Sequence, residues 1–286
     1  MRHAFSVRIG PVGFRVGSDW RAPIRQLAAL YAGYPRPEDG VPDFTVRLFA
    51  QRPWRRVIRP AVMIGGDFMI PDAAPLPLAQ GLLAAEMAMN LQMALGQRRY
   101  LLLHASAVER DGRVLLMTGE SGSGKSTLAA LLSRRGWRLM GDEFALIDPV
   151  SGLAHAFPRL VSLKNAAISV AEAAMPQARF GPLLEGTPKG AIRHLVPDAA
   201  AVAGMDTPGE PALLLFPRFG FAPDIREVAP GEVFMRLTQA STNYVAMGER
   251  GFDALTRLVL GIPARAIDYP DTDHALAQVE ALWGAL

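Results

Sequence analysis

One octapeptide limits what this chain can become. Gly119-Glu120-Ser121-Gly122-Ser123-Gly124-Lys125-Ser126 fits G-x-x-x-x-G-K-[ST] at every fixed position. Arg113 to Thr118 before it read as a buried strand, and Thr127 to Leu132 after it as the opening turns of a helix. A strand, a glycine-rich turn and a helix in that order commit the chain to an α/β fold, with helices covering a sheet. The turn aims successive backbone N–H groups at one point, at the positive end of a helix dipole, which suits a polyphosphate. Gly119, Glu120, Ser121, Gly122, Ser123, Gly124, Lys125, Ser126 and Thr127 are therefore the expected nucleotide-binding set. Lys125 would reach the β- and γ-phosphates, and the Ser126 hydroxyl would ligate Mg²⁺.

The chain has 286 residues, half of them hydrophobic, enough for one large domain or two modest ones. Lys and Arg number 30 against 27 Asp and Glu, a net charge of +3, and no long basic run calls for nucleic acid. The densest basic cluster, Arg52-Pro53-Trp54-Arg55-Arg56 with Arg59 beyond it, reads as a solvated strand edge. There is no cysteine, which excludes disulfides, thiolate metal sites and cysteine nucleophiles and suits a reducing cytoplasm. The N-terminal residues lack the apolar core of a signal peptide. No run of 18 or more apolar residues exists, so neither a membrane span nor a membrane partner is expected.

Residues 1–76 read as a small N-terminal α/β region. A hairpin is expected over Phe5–Val16 around Gly10-Pro11, a helix over Trp20–Tyr34, strands over Asp43–Ala50 and Val57–Ile64, and another short strand at Asp67–Ile70. Pro71–Pro77 is a turn-rich break, and residues 77–286 are read as the catalytic domain. That region starts with a strongly apolar helix, Pro77 to Gly96, and a strand over Tyr100–Glu109. After the octapeptide come a helix, a strand at Arg138–Met140, the acids Asp142-Glu143, and a strand at Ala145–Ile147. Leu160–Ala201 reads as loop-rich. A strand at Ala212–Phe216, helices near Pro230–Gln239 and Glu249–Leu260, a strand at Ala264–Tyr269 and a last helix follow. Asp271 or Thr272 would cap that helix.

A nucleotide site needs oxygens for Mg²⁺ and a group that takes a proton from an acceptor. Asp142 and Glu143 stand directly after an apolar strand, where a carboxylate would face the glycine-rich loop. One acid would hold metal with Ser126 while its neighbour acts as base. His104 lies in an otherwise apolar strand expected to pair with the strand that feeds the loop, which brings it near the phosphates or the acids.

These residues together are the basis of a family resemblance. His104-Ala105, the octapeptide, and Arg134-Arg135-Gly136-Trp137-Arg138-Leu139-Met140-Gly141-Asp142-Glu143 resemble the catalytic domain of bacterial HPr serine kinase/phosphorylase over roughly residues 100–148. The resemblance implies a P-loop kinase core of the HPr kinase / PEP carboxykinase-like type, using ATP and Mg²⁺. It puts His104 and Lys125 on active-site positions, Ser126 and Asp142 on the metal, and Glu143 on the proton acceptor from a substrate serine. Glu stands at 143 where the family has Asp. Arg218, in Phe216-Pro217-Arg218-Phe219-Gly220, echoes the family's loop for the reverse reaction. The pattern looks closest to HPr kinase-related proteins of peptide-modification gene clusters, which share a P-R-x-V-S-L-K-N-like stretch, here Pro158 to Asn165. That likeness implies a peptide or small-protein substrate, in some relatives beside a PqqD-like carrier, and leaves a homo-oligomer open.

Gly186 to His194 reads as a flexible basic loop able to close over the γ-phosphate, with Lys189 or Arg193 assisting transfer. Ser241-Thr242-Asn243-Tyr244 reads as a helix-ending turn. The expected function is an ATP-dependent kinase acting on a Ser/Thr hydroxyl. A small-molecule hydroxyl kinase and an ATPase or switch without an acceptor remain open. A deep enclosed acceptor pocket would favour a small molecule, and a shallow groove a peptide.

Overall fold

Gly10, at φ 50°, turns the chain between two antiparallel strands, β1 (His3–Ile9) and β2 (Val12–Ser18), with Ile9 opposite Val12; β2 is buried apart from Arg15. The computed structural model describes residues 2–71 and 73–286; Asp72, within the expected turn-rich break, lies outside the described residues. Helix α1 (Arg21–Leu30) buries Ile24, Leu27 and Leu30 at helical spacing. Then β3 (Phe44–Phe49) joins β2 in parallel, β4 (Ala61–Gly66) pairs antiparallel with β3, and β5 (Leu76–Pro77) closes the edge, giving a sheet ordered β1-β2-β3-β4-β5.

Two expectations in this region need correction. Pro53–Arg56 is a 3₁₀ turn, and the Val57 and Ile58 N–H groups both donate to the Trp54 carbonyl. The basic cluster therefore sits on a turn, and the strand starts only at Ala61. Asp67–Ile70 is no strand. Gln92 accepts from the Phe68 N–H at 2.9 Å and donates to the Phe68 carbonyl at 2.9 Å, so a side chain takes the hydrogen bonds a ladder would have used. Gln92 belongs to α2 (Gly81–Gly96), whose Leu82, Ala85, Met89 and Met93 share one buried cluster with side chains of β1 to β4.

The chain continues through β6 (Leu101–Leu103), β7 (Ala105–Arg110), β8 (Arg113–Thr118), α3 (Lys125–Ser133), β9 (Arg138–Gly141), β10 (Ala145–Ile147) and β11 (Ala154–His155). The single strand expected at Tyr100–Glu109 breaks at His104. Its first part pairs with β10, its second with β8 and β9, and the His104 N–H donates to Ala240 O at 2.8 Å. The stretch read as loop-rich holds β12 (Val161–Lys164), α4 (Ala166–Ala174), β13 (Leu184–Thr187), β14 (Gly190–Leu195) and α5 (Ala199–Ala203), with a small sheet ordered β12-β14-β13.

The rest of the chain is β15 (Glu210–Phe219), β16 (Asp224–Glu227), α6 (Pro230–Ala240), α7 (Tyr244–Met247), α8 (Glu249–Gly261), β17 (Ala264–Tyr269) and α9 (Thr272–Gly284). A six-stranded sheet orders them β16-β17-β15-β8-β7-β9, with β8, β15 and β17 parallel. Both of its faces are covered. Leu115 and Met117 point to α3 and α9, while Leu116 and Leu214 point to α6 and α8. Burial on both sides explains the unbroken apolar run of β8. The Asp271 side chain caps α9 by accepting from the His274 N–H at 3.0 Å. Asn243, in the helix-ending turn, is buried; its side chain accepts from the Leu102 N–H and donates to Tyr100 O, locking β6. The molecule is a mixed α/β protein with several sheets, and no helix among the described residues is long and apolar enough to cross a membrane.

Candidate active site

Parallel strands leave their C-terminal ends at one edge of the main sheet, where α/β folds bind ligands. The glycine-rich loop starts there, after Thr118. Gly119, Gly122 and Gly124 take φ values of 152°, 88° and 95°. Tyr269, at the end of β17, donates its hydroxyl to Ser123 O at 2.8 Å. A Cβ on Gly124 would press into that same hydroxyl. Gly124→Ala should therefore push Tyr269 off the loop and lower triphosphate affinity about tenfold or more, whereas Tyr269→Phe loses one hydrogen bond worth roughly 1 kcal/mol. Calorimetric titration with an ATP analogue compares the two.

Lys125 lies inside the loop. Its Nζ donates to Gly119 O at 2.7 Å and Glu120 O at 2.8 Å. Burial pulls its pKa down, and the nearby charges of Asp142 and Glu143 push it back up.

The acid pair follows β9. Gly141 is required there, because a Cβ would meet Phe144 O at 2.8 Å. Asp142 is fully buried; its Oδ1 accepts from Ser106 Oγ at 2.5 Å and its Oδ2 from the Ser162 N–H at 3.4 Å. Burial raises its pKa and the Glu143 charge adds to this, while hydrogen bonds from Ser106 and Ser126 oppose it. A carboxyl raised in the folded state binds more protons than in the unfolded chain, so its contribution to stability falls as pH rises through the window above the ordinary Asp value. Asp142→Asn should thus raise the melting temperature of the ligand-free protein at neutral pH and leave it nearly unchanged at pH 3–4, as scanning calorimetry would read.

Glu143 takes φ 74°, left-handed backbone in a residue that is not glycine, at a cost of roughly 1 kcal/mol or more. His104 braces it. The imidazole Nδ1 donates to Glu143 O at 3.1 Å and lies 3.6 Å from Glu143 Oε2. The break between β6 and β7 is what turns His104 toward the acid instead of into a sheet face.

The loop and both acids open on one cavity of about 310 Å³. Ser106, Lys164, Asn165 and Tyr269 also line it. Residue order alone pointed to none of these four as site residues, although Ser106 stands two positions after His104.

The remaining expected residues lie elsewhere. Arg218 pairs with Asp268, its Nε donating to Oδ1 at 2.9 Å, and its guanidinium stacks 4.0 Å from the Phe221 ring centre; it does not line the cavity. The expected flexible loop at 186–194 is the β13–β14 hairpin. Arg193 is held by Glu172 and by Gly181 O at 2.8 Å, away from the loop. Lys189, on the hairpin turn, lines a second cavity of about 150 Å³. The two cavities share Asp142, Glu143, Ser162 and Lys164, so the acid pair stands between them.

Among the described residues no cluster of three His, Cys, Asp or Glu side chains could cage a metal. One buried carboxylate, Asp142, on the same cavity as the Ser126 hydroxyl, is an all-oxygen and sparse set. That fits Mg²⁺, which keeps several waters and relies on substrate phosphates, and it does not fit zinc.

No protein-family model matches the chain, and no curated protein sequence matches it. Among solved structures the chain is similar to an HPr(Ser) kinase/phosphatase from Coxiella burnetii, at 17% identity and a TM-score of 0.30, over 65% of this chain and 99% of that one.

Proposed function

We propose that the chain is an ATP-dependent phosphotransferase that phosphorylates a Ser or Thr hydroxyl of a peptide or small protein. One observation carries this reading: the Gly119–Ser126 loop and the Asp142–Glu143 pair face a common cavity. The loop amides and Lys125 hold the phosphates. The acceptor oxygen forms a bond to the γ-phosphorus as the bond to the β,γ-bridging oxygen breaks. The hydroxyl proton passes to the Glu143 carboxylate, and ADP leaves with the bonding pair. Ser126 and Asp142 would hold Mg²⁺, which when bound offsets the charge of the phosphates. Lys125 stabilises the transferring group, His104 fixes the base, and positioning supplies most of the rate.

The test is incubation with γ-labelled ATP and peptides encoded beside the gene, with and without a PqqD-like carrier, read by mass spectrometry. Phosphoserine or phosphothreonine that disappears in Lys125→Ala is the expected result. Free phosphate alone, indifferent to every peptide and to Glu143→Gln, would replace this reading with an acceptor-free ATPase.

A further inference from the structure

The 150 Å³ cavity on the far side of the acid pair is walled by α2, through Leu83, Glu86 and Asn90, and by the β13–β14 hairpin. The two walls are fastened together. Leu83, Leu184 and Ile192 form their own buried cluster, and Gln80 Nε2 donates to Gly186 O at 3.0 Å. Met87 stands at the mouth, 45% exposed.

Buried polar atoms of the lining residues are left without partners. Glu86 Oε1, Arg159 Nε and His194 Nδ1 make no hydrogen bond, although the three residues are only 5%, 2% and 2% exposed. Each such atom is stripped of water without a replacement partner, and a native protein tolerates them where a ligand or water completes the set. Glu86 Oε1 needs a donor and Arg159 Nε an acceptor, the two halves of a peptide group. Burial lowers the His194 pKa, which favours its neutral imidazole.

Size and charge restrict the occupant further. A cavity of about 150 Å³ holds a benzene-sized group, and a serine residue within a chain has as many non-hydrogen atoms as benzene. Three acids, Glu86, Asp142 and Glu143, face three cations, Arg159, Lys164 and Lys189, around the space. Glu86 and Arg159 already pair with each other, so a neutral group enters without leaving either buried charge unpaired, whereas a charged group would compete with that pair.

We propose that this cavity is the acceptor subsite and that it takes a neutral, chain-borne hydroxyl residue, whose flanking peptide groups bond to Glu86, Arg159 and His194. This rests on the phosphotransfer reading above. The residue enters from the Met87 side and presents its hydroxyl to Glu143; the bonds made and broken are those already given.

The test uses the full chain with Mg²⁺ and a non-hydrolysable ATP analogue. N-acetylserine methylamide and free L-serine are titrated separately, and the imidazole ¹H–¹⁵N signals are followed by NMR, that of His194 being assigned by its loss in His194→Gln. The capped serine should move the His194 signal and L-serine at equal concentration should not. Met87→Trp, which narrows the mouth, should weaken the capped serine at least tenfold, with nucleotide affinity measured alongside as a check on the fold. A stationary His194 signal with both probes overturns the subsite, and equal or tighter L-serine binding overturns the chain-borne occupant. A parallel incubation with ATP separates the two readings. Phosphoserine formed without any His194 response leaves the transfer reading standing and removes the subsite. A His194 response to the capped serine without phosphoserine retains the subsite and removes the transfer reading.

Discussion

Glu143→Gln is expected to lower the rate of phosphoryl transfer by about 10²–10⁴-fold, the usual worth of a positioned general base. The amide keeps the size of the side chain but takes no proton. Because Glu143 is not part of the phosphate cradle, ATP-analogue affinity should stay within a few fold, so the loss falls on kcat. Glu143→Asp separates geometry from chemistry. The shorter acid keeps the base but withdraws it from the cavity, and it should recover part of the rate. His104→Gln should fall between the two, since it removes the contact at 3.1 Å that braces the Glu143 carbonyl and leaves the carboxylate in place. Single-turnover measurements with a phosphorylated peptide as product distinguish the three. A Glu143→Gln enzyme with unimpaired transfer would falsify the assignment of this residue as base.

Arg159→Met should be among the most destabilising single changes in the protein. Arg159 and Glu86 are both buried and paired at 2.5 Å, and Asn90 and the Glu86 carbonyl also accept from the guanidinium. Tyr31 Oη adds a hydrogen bond to Glu86 at 3.3 Å. Removing one member of a buried pair leaves the other charge uncompensated, at a cost of about 3–5 kcal/mol. For a chain of this size that is a drop in melting temperature on the order of 10 °C. The double variant Glu86→Leu/Arg159→Met should recover most of the loss, because packed apolar groups replace a buried pair at little net cost. Thermal denaturation of the three proteins closes the cycle, and additive single effects would show that the pair is not coupled.

The parts of the molecule that were legible in the sequence are those governed by local chemistry. The octapeptide between β8 and α3, the Gly10 hairpin and the Asp271 cap each depend on neighbours a few residues away. The strands at Arg138 and Ala145 were readable as short buried apolar runs, Leu139-Met140 and Ala145-Leu146-Ile147, and the strand at Ala264 as an apolar stretch interrupted by Arg265 and Asp268. What stayed hidden depends on partners far along the chain. Gln92 dissolves the strand expected at Asp67–Ile70 from 24 residues away. Nothing around Leu184-Glu185-Gly186-Thr187 marks a strand, and it forms one by pairing with β14. Glu86 reads as a polar interruption in an apolar helix until Arg159 is brought beside it. For the site, the loop and the acid pair were readable as adjacent motifs, whereas Ser106, Lys164 and Tyr269 gather only when three separate strand ends meet. Arg218 was singled out by a pattern of neighbours, but its guanidinium is engaged by Asp268 on the adjoining strand.

The crossing at His104 has an engineering consequence. Leu101–Leu103 and Ala105–Arg110 serve different sheets within one uninterrupted stretch of backbone. A shortened version that starts after α2 would forfeit Glu86 and strip the cover from Leu102, Leu146 and Phe157. Miniaturisation of this protein should therefore start at the exposed turn near Arg52–Arg59, where residues can be removed without baring that shared interior.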